Sequence, residues 1–441
     1  MMLMMMKRVV IAWLLITITL ALGDYNSEDI DELDIINEFV DSNIDIPPEC
    51  NQGHYFINKP DDFKKISHCQ IIHGNMTIAN YIYPIVSFGN IETITGTLMI
   101  TKSPDIVRIE GDSLTNIGKK FLLRELTSLS VIVFPNLSSI KVIDWRVLPI
   151  LSSVQLNDEV DGLESVIISD TSLTGFSGFT SSKFEIFDIN NNRFLNSIDS
   201  NVETIGESLH ISANAFGSIV SLPKLKTANN MTIQDVGTLS MGSLETVSNS
   251  VSLINNQIES IKFPNLNKVG GTLNIFKNKK LSSMNFNNIS EIGGGLIISN
   301  NTMIEKINFL PKLNTIGGAL ELSGNIKEID LKNLKLIRGS AKVKTESPSF
   351  DCTQFLKSDL MLVIRGGKIE CLNANNEKYI TNSPGSNDSD TGITYDSNGR
   401  FIQSPSIDTR INVSGTRPTL LSSVIPLVMI MLIFNYVVQY M

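Results

Sequence analysis

Residues 251–298 decide the fold, because one short pattern occurs three times in VSLINNQIESIKFPNLNKVGGTLNIFKNKKLSSMNFNNISEIGGGLII. An apolar, a variable and a second apolar residue follow one another at Val251-Ser252-Leu253, Leu273-Asn274-Ile275 and Leu296-Ile297-Ile298. This alternation is typical of a β-strand with one buried face. The copies start 22 and 23 residues apart, and a second apolar stretch lies between them. The spacing leaves no room for a helix of ordinary length, about 11 residues.

The same pattern extends along the chain in both directions. It occurs thirteen times at a mean spacing near 22 residues, starting at Met76, Leu98, Phe121, Ile143, Val166, Phe187, Leu209, Met231, Val251, Leu273, Leu296, Leu320 and Ala341. We therefore predict an all-β fold, a right-handed parallel β-solenoid over residues 50–371. One coil cannot bury its apolar face alone, so each coil needs the coils above and below it. Thirteen coils spaced about 4.8 Å apart give a rod about 60 Å long.

Glycine and asparagine recur at fixed places in the unit. Glycine precedes eight strands, at Gly74, Gly96, Gly118, Gly206, Gly271, Gly294, Gly318 and Gly339. Because glycine tolerates positive φ, these positions predict tight corners. Asparagine follows six strands, at Asn191, Asn214, Asn256, Asn278, Asn301 and Asn325. Asparagine tolerates the left-handed conformation at turns, so we expect these side chains at one corner, stacked in a ladder.

The N-terminus predicts export. Lys7 and Arg8 precede the apolar residues 9–22, and Ala21 and Gly23 are small residues at −3 and −1 of a cut after residue 23. These are the parts of a secretory signal peptide, which we assign to residues 1–23. As a helix, the 14-residue run would rise about 21 Å, less than the hydrocarbon core of about 30 Å that a membrane anchor must cross.

The C-terminus predicts lipid attachment. Residues 420–438 are apolar, and no Lys or Arg follows them as it usually would after a spanning helix. A short polar spacer and small residues come before the run, which favours a GPI-attachment signal over a tail anchor. We predict attachment at Asn412, with Ser414 as the alternative, and removal of residues 413–441.

The charge of the chain is concentrated near the N-terminus. The net charge is −9, and residues 24–49 hold ten Asp and Glu with no Lys or Arg. This acidic N-terminal segment accounts for the imbalance, so the main body is close to neutral and gives no reason to expect nucleic-acid binding. Residues 372–412 are rich in Asn, Ser, Asp, Gly and Pro without periodicity, which predicts a flexible stalk.

Asparagine sequons and cysteines agree with export. Asn-x-Ser/Thr occurs at Asn75, Asn136, Asn230, Asn288, Asn300, Asn387 and Asn412. In an exported chain these are usable N-glycosylation sites, which we predict at all but Asn412. Four cysteines lie at the ends of the repeat, Cys50 and Cys69 before it and Cys352 and Cys371 after it. We predict two local disulfides that cap the solenoid, each worth roughly 3 kcal/mol.

Candidate catalytic residues are few. His54, His68, His73 and His210 have no spacing typical of a zinc site, and we predict no metal or cofactor. Asp144, Asp170, Asp188 and Asp235 recur near strands. Clustered carboxylates on one face would suit a glycan-active enzyme. Turn residues comparable to the asparagines are the simpler interpretation, and we predict no catalytic residue.

Several motifs resemble one family. These are residues 145–149 (WRVLP), 168–171 (ISDT), 187–198 (FDINNNRFLNSI), 293–301 (GGGLIISNN) and 311–318 (PKLNTIGG). They resemble the fungal GPI-anchored cell-wall proteins of the yeast ECM and SPS (sporulation-specific) group, over residues 50–371 and both terminal signals. The resemblance implies repeats similar to the receptor L-domain, of leucine-rich-repeat type, and a non-enzymatic role in organising the cell wall or spore wall. The stalk holds few Ser and Thr, which favours the sporulation branch.

The function that we expect is that of a GPI-anchored surface glycoprotein needed for wall organisation, in particular for assembly of the glucan layer of the spore wall. Expected partners are wall β-glucan or other wall proteins, and the membrane through the lipid. Two alternatives stay open. One is a receptor-like ectodomain that binds a protein ligand, and the other is a β-helix enzyme that acts on glycans.

Overall fold

The computed structural model describes residues 46–157, 159–175 and 181–383, together with two short strands at residues 394–395 and 401–402. The predicted signal peptide, most of the acidic segment, Asn387, Asn412, Ser414 and residues 413–441 lie outside the described residues. Helices are few and short: a 3₁₀ turn at Pro48–Cys50, α1 (Pro60–Lys65), α2 (Cys352–Leu356) and a 3₁₀ turn at Asp359–Val363.

Strands account for most of the regular structure. The first part of the chain forms β1 (Gly53–Ile57), β2 (Ile71–Ile72), β3 (Gly74–Ala79), β4 (Ile85–Ser87), β5 (Thr93–Ile94), β6 (Leu98–Thr101), β7 (Arg108–Glu110), β8 (Asn116–Arg124), β9 (Val131–Phe134), β10 (Ser139–Leu148), β11 (Ser153–Leu156), β12 (Ser165–Thr171), β13 (Lys183–Asn190), β14 (Ser197–Asp199), β15 (Thr204–Ser212), β16 (Ile219–Ser221) and β17 (Thr227–Gln234). The second part forms β18 (Thr238–Ser240), β19 (Thr246–Val247), β20 (Val251–Ile254), β21 (Ser260–Lys262), β22 (Lys268–Val269), β23 (Leu273–Phe276), β24 (Ser283–Asn285), β25 (Glu291–Ile292), β26 (Leu296–Ser299), β27 (Lys306–Ile307), β28 (Thr315–Ile316), β29 (Leu320–Gly324), β30 (Glu328–Ile329), β31 (Leu336–Ile337), β32 (Ala341–Thr345), β33 (Lys368–Leu372), β34 (Lys378–Asn382), β35 (Thr394–Tyr395) and β36 (Phe401–Ile402).

These strands form the predicted parallel β-solenoid, with about 13 turns of about 22 residues. Each long strand pairs in parallel with the equivalent strand of the next coil, so Leu273 lies between Val251 and Leu296. Among the described residues, 23 strands make one long sheet. Shorter strands of the same coils make smaller sheets, the largest being β4, β7, β9 and β11.

The apolar positions of the repeat form one continuous core. Leu273 and Ile275 are fully buried, whereas Asn274 between them is half-buried on the outer face of the sheet. Aromatic rings stack along the rod through the same core. Phe121 contacts both Phe134 and Trp145 edge-on, with ring centroids 5.5 Å apart in each case. The structure therefore confirms the buried face of each strand that the alternation in the sequence predicted.

The predicted asparagine ladder exists, and it lies inside the coil. Of the predicted members, Asn256, Asn278 and Asn301 are buried, and the place predicted for Asn191 is taken by the buried Asn192, which bonds to Asn214. Nδ2 of Asn256 donates to the carbonyl oxygen of Ile233 at 3.0 Å and to Oδ1 of Asn278 at 3.1 Å. The same Oδ1 accepts the backbone N–H of Asn256 at 2.9 Å. Each amide thus joins neighbouring coils and pairs backbone groups that burial would otherwise leave unsatisfied.

The left-handed conformation predicted for these asparagines belongs to the residue before them. Asn255, Lys277 and Asn300 have φ of 51°, 59° and 57° and start the corner. Of the six predicted positions, Asn191 has positive φ, at 55°. Asn325 donates its side chain to Glu305 at 3.2 Å. The prediction was therefore right about the corner and wrong by one residue about its left-handed member.

The glycines that precede the strands have a different role from the predicted one. Of the eight, only Gly74 has positive φ, at 139°. The others lie close to the preceding coil. A Cβ on Gly118 would lie 2.3 Å from the carbonyl oxygen of Thr95, and one on Gly96 would lie 2.4 Å from that of Gly74. Glycine is needed there because no side chain fits between the coils.

The two ends are closed as predicted. Disulfides join Cys50 to Cys69 and Cys352 to Cys371, each across 19 residues. Beyond the last parallel strand, β34 pairs antiparallel with β33 and ends the long sheet. The prediction of a flexible stalk from residue 372 is therefore wrong for the residues up to Ser383, which belong to the C-terminal cap.

Candidate functional site

A cluster of charged side chains lies on the outer face of the long sheet, near the middle of the rod. It consists of Arg124 on β8, Asp144 and Arg146 on β10, Asp188 on β13 and His210 on β15. We call these five residues the charged cluster. Each is at an outward position of its strand, since the residue before it in the sequence is buried. The sheet register then brings them together, since Asp188 lies opposite His210 and Arg146 lies opposite Arg124.

Asp144 is paired with two arginines. Nη2 of Arg124 contacts one carboxylate oxygen, and Nε of Arg146 lies 2.8 Å from the other. The Asp144 side chain is only 10% exposed, while those of Arg124 and Arg146 are 31% and 44% exposed. Charge-assisted hydrogen bonds to such a shielded carboxylate are stronger than those of a surface ion pair. Two partly exposed guanidinium groups are thus fixed beside each other.

Asp188 is held by a neighbouring coil. Nδ1 of His210 lies 2.9 Å from its carboxylate, and Nδ2 of Asn190 donates to the same oxygen at 2.8 Å. Burial alone would raise the pKa of Asp188. The hydrogen bonds from His210 and Asn190, and the charge of Arg146, outweigh burial and hold the pKa below its ordinary value of 3.8. The carboxylate is therefore ionised at neutral pH.

This geometry does not resemble a pair of glycosidase carboxyl groups. A general acid for glycoside cleavage needs a raised pKa, and that of Asp188 is lowered. Asp144 is occupied by its two ion pairs, and Ile167 lies between the two aspartates in the column of outward residues. The cluster presents fixed hydrogen-bond donors on the outer face of the long sheet.

The four predicted aspartates divide into two pairs. Asp170 and Asp235 have φ of 56° and 61° and lie at the left-handed corner, as the turn interpretation predicted. That interpretation was wrong for Asp144 and Asp188, which lie in the middle of strands. Arg124 was missed, and Arg146 entered only as part of a motif. The middle position of the repeated triplet, which Asp144, Asp188 and His210 share, was the available signal.

The other three histidines lie in the N-terminal cap. Nε2 of His54 lies 3.1 Å from Oγ1 of Thr77, and the ring of His54 stacks on Phe56 at 4.3 Å. Nε2 of His68 lies 3.7 Å from Sγ of Cys50. Cys50, His68 and Cys69 come together, but the two sulfur atoms are joined in a disulfide. A metal would need them as thiolates, so this group is not a metal site.

The predicted sequons in the described residues are accessible to different degrees. Asn136, Asn230 and Asn300 are exposed, and Asn75 and Asn288 are half-buried. Nδ2 of Asn136 donates to the carbonyl oxygen of Asp112 at 2.7 Å, and that of Asn288 to the carbonyl oxygen of Pro264 at 2.6 Å. The side chain of Asn300 makes no hydrogen bond within the described part of the chain.

A disulfide-capped solenoid with a broad polar face defines a class, the extracellular β-solenoid proteins of cell surfaces, since such disulfides persist in oxidising surroundings. The chain is 38% identical to sporulation-specific protein 2 of Saccharomyces cerevisiae over 339 residues, which are 76% of this chain and 67% of that protein. It is 35% identical to sporulation-specific protein 22 of the same yeast, over 79% of this chain and 76% of that protein. It belongs to the fungal family of these sporulation-specific proteins and the related cell-wall proteins.

Another relative bears on localisation. The cell surface GPI-anchored protein ECM33 of Candida albicans is 32% identical, over 76% of this chain and 81% of its own length. Such relatives confirm the predicted localisation, outside the cell and GPI-anchored, and support a role in the cell wall. The helices in the described part of the chain are all too short or too polar to cross a membrane. No known family profile and no solved structure matches the chain.

Proposed function

We propose that this protein is a non-catalytic scaffold of the fungal cell wall, needed to assemble the glucan layer of the spore wall. Its partners are wall β-glucan or other wall proteins, and a GPI lipid attaches it to the membrane. The sporulation-specific relatives share more of the sequence than the relative from Candida albicans does. This ranking favours a role in sporulation over one in vegetative growth.

The observation that carries the non-catalytic part is the state of the two mid-strand aspartates. Asp144 is bound by Arg124 and Arg146, and Asp188 is bound by His210 and Asn190. The general acid of a glycosidase needs a raised pKa, whereas the pKa of Asp188 is lowered, and both carboxylate oxygens of Asp144 are engaged by guanidinium groups. Their partners fix them as parts of a surface.

The terminal signals complete the proposal. Residues 1–23 are removed on export, and residues 413–441 are exchanged for the lipid at Asn412, or at Ser414. Residues 24–49 form an acidic extension in front of the solenoid. N-glycans on Asn75, Asn136, Asn230, Asn288, Asn300 and Asn387 make the mature protein a glycoprotein.

Complementation of a deletion strain tests this function. Asp144→Asn, Asp170→Asn, Asp188→Asn and Asp235→Asn, each expressed singly in the full chain, should restore the spore-wall layers and resistance to wall-binding dyes. A chain that lacks residues 413–441 should not restore them, because it would be secreted and diluted. Immunofluorescence confirms that each Asn variant reaches the surface. A correctly localised Asp→Asn variant without any activity would refute the scaffold and favour a glycan enzyme.

A further inference from the structure

A groove follows the left-handed corner of the rod, away from the charged cluster. Its wider part has a volume of about 410 Å³ and lies between Asn255 and Glu346. A narrower part of about 210 Å³ continues from Asn255 to Phe216. Asn255 lines both parts, so they meet at this residue. Together they span seven coils, about 29 Å at the spacing of adjacent strands.

Three features of the lining residues shape the groove. Gly324 has no side chain, and this opens the space between Asn300 and Glu346. Nζ of Lys277 lies 4.8 Å above the ring of Phe276 and is drawn towards the sheet face. The hydroxyl of Thr302 donates to the carbonyl oxygen of Lys279 at 3.1 Å, which fixes one wall.

The lining has the chemistry that suits a saccharide. Gln257 and Asn300 offer amides, which donate and accept as sugar hydroxyls do, and Asn255 offers its Oδ1, since its Nδ2 donates to Asp235 at 2.6 Å. Two lysines, Lys277 and Lys279, and two acids, Asp235 and Glu346, line the groove, so its formal charge is balanced and it does not favour an ion. At its far end the ring of Phe216 is 88% exposed and is free to cover the apolar face of a sugar.

Asn300 places a source of saccharide inside the groove. It is a glycosylation sequon, it is exposed, and its side-chain amide is not used in a hydrogen bond. Asn136 and Asn288 are different, because their Nδ2 atoms already donate to a carbonyl of the preceding coil. A glycan on Asn300 would start at the middle of the groove, with lining residues on both sides.

We propose that this corner groove binds an uncharged saccharide chain along the rod axis. The shared chemistry has two sources, the glycan attached to Asn300 and free wall glucan, and the first is the expected occupant. The inference rests on the proposed wall function only for the second source. Binding is measured on the isolated protein, so its failure is distinct from a failure to rescue a deletion strain.

The first experiment measures binding by the full chain, purified in detergent from a yeast host. The probe is a β-1,3-linked glucan oligosaccharide, measured by calorimetry. Asn300→Gln removes the attached glycan and keeps an amide in the groove, while Thr302→Ser keeps both the sequon and the hydroxyl. We expect Asn300→Gln to bind the probe, and wild type and Thr302→Ser to bind it at least tenfold more weakly. Adding Gln257→Ala and Lys279→Ala to Asn300→Gln should lower the affinity for the probe tenfold. Adding Lys335→Ala instead, at an exposed lysine outside the groove, should change nothing.

The second experiment follows release of the glycans by an endoglycosidase from native and denatured protein. The glycan on Asn300 should be released at least tenfold more slowly than that on Asn136 from native protein, and equally fast after denaturation. Wild type and Asn300→Gln could bind the probe equally well, with Gln257→Ala and Lys279→Ala abolishing that binding. This result would retain the site and assign it to wall glucan. Slow release of the Asn300 glycan without binding of the free probe would retain the site for the attached glycan alone. The proposal is overturned if Asn300→Gln does not bind the probe and the glycans on Asn300 and Asn136 are released equally fast. It is also overturned if Gln257→Ala and Lys279→Ala leave the affinity for the probe unchanged.

Discussion

The imidazole of His210 lies one coil from Asp188, directly opposite it in the parallel register, with Nδ1 2.9 Å from the carboxylate. The two residues are 22 positions apart in the sequence, one repeat of the solenoid. The repeat therefore brings together side chains that local sequence does not connect. It also makes the stability of the middle coils depend on the ionisation of one carboxyl group.

Acid should weaken the protein through Asp188. Folding lowers the pKa of this group, so its contribution to the free energy of unfolding is fully present above the ordinary value of 3.8. The contribution is lost as the pH falls through the lower pKa of the folded state. Asp188→Asn should therefore be less stable than wild type at pH 6, and the gap should narrow near pH 3.

Urea unfolding at both pH values measures this gap. Asp199→Asn, at an exposed aspartate on β14, is the matched control and should show a small offset at either pH. An equal gap for Asp188→Asn at pH 6 and pH 3 would contradict the assigned pKa.

Removing one amide from the asparagine ladder should destabilise the solenoid strongly. Asn256→Ala leaves the buried N–H of Val236 and the carbonyl oxygen of Ile233 without their partners. We expect a loss of about 3 kcal/mol in the free energy of unfolding. Asn274→Ala, on the outer face of β23, removes a half-buried amide without a hydrogen bond and should lose less than about 1 kcal/mol. Equal losses for the two variants in urea unfolding would argue against the ladder.

Glycines in contact with the preceding coil should not accept a methyl group. In Gly293→Ala the new Cβ would lie 2.1 Å from the carbonyl oxygen of Gly270, a backbone atom that cannot move aside alone. We expect a loss of at least about 3 kcal/mol, or failure to fold. Gly242→Ala has no atom within 4 Å of the new Cβ and should be neutral or slightly stabilising. Thermal unfolding of both variants measures this difference in stability. A Gly293→Ala protein as stable as wild type would show that the coils are farther apart at Gly293 and Gly270 than in the structure.

The two disulfides should stabilise the ends independently. Non-reducing peptide mapping should recover Cys50 with Cys69 and Cys352 with Cys371. Replacing either pair with serine should lower the free energy of unfolding by about 3 kcal/mol, as expected for loops of this length. The losses should add, because the two ends share no contact. A peptide that links Cys69 to Cys352 would be incompatible with a single rod.

The sequence predicted the solenoid because its period is the coil itself. Each triplet such as Leu273-Asn274-Ile275 shows which residues are buried, and the interval between triplets shows how the chain returns to the same sheet. The sequence did not show which of two adjacent residues turns left-handed. Asn255 and Asn256 have the same side chain, and only the packing of the coil places one outside and the other inside.

The charged cluster was harder to predict for a related reason. Outward positions follow from alternation, but contacts between them depend on the register of neighbouring strands. Arg124 lies opposite Arg146 and reaches Asp144 diagonally, two residues along the strand, so counting residues from one coil to the next does not align Arg124 with Asp144. The corner groove has no sequence signal, because it arises from a missing side chain at Gly324 and from the direction that long side chains take.

The parallel pairing of successive coils has a mechanical consequence. The hydrogen bonds between coils run along the rod, so a pull between the two ends would open one coil boundary at a time, starting at a terminus. The disulfides at Cys50–Cys69 and Cys352–Cys371 close the chain into covalent loops at those two boundaries. Tension that enters through the lipid-anchored end must therefore first pass a loop that cannot unravel, so the disulfide protects the terminal coil boundary at which opening would otherwise start.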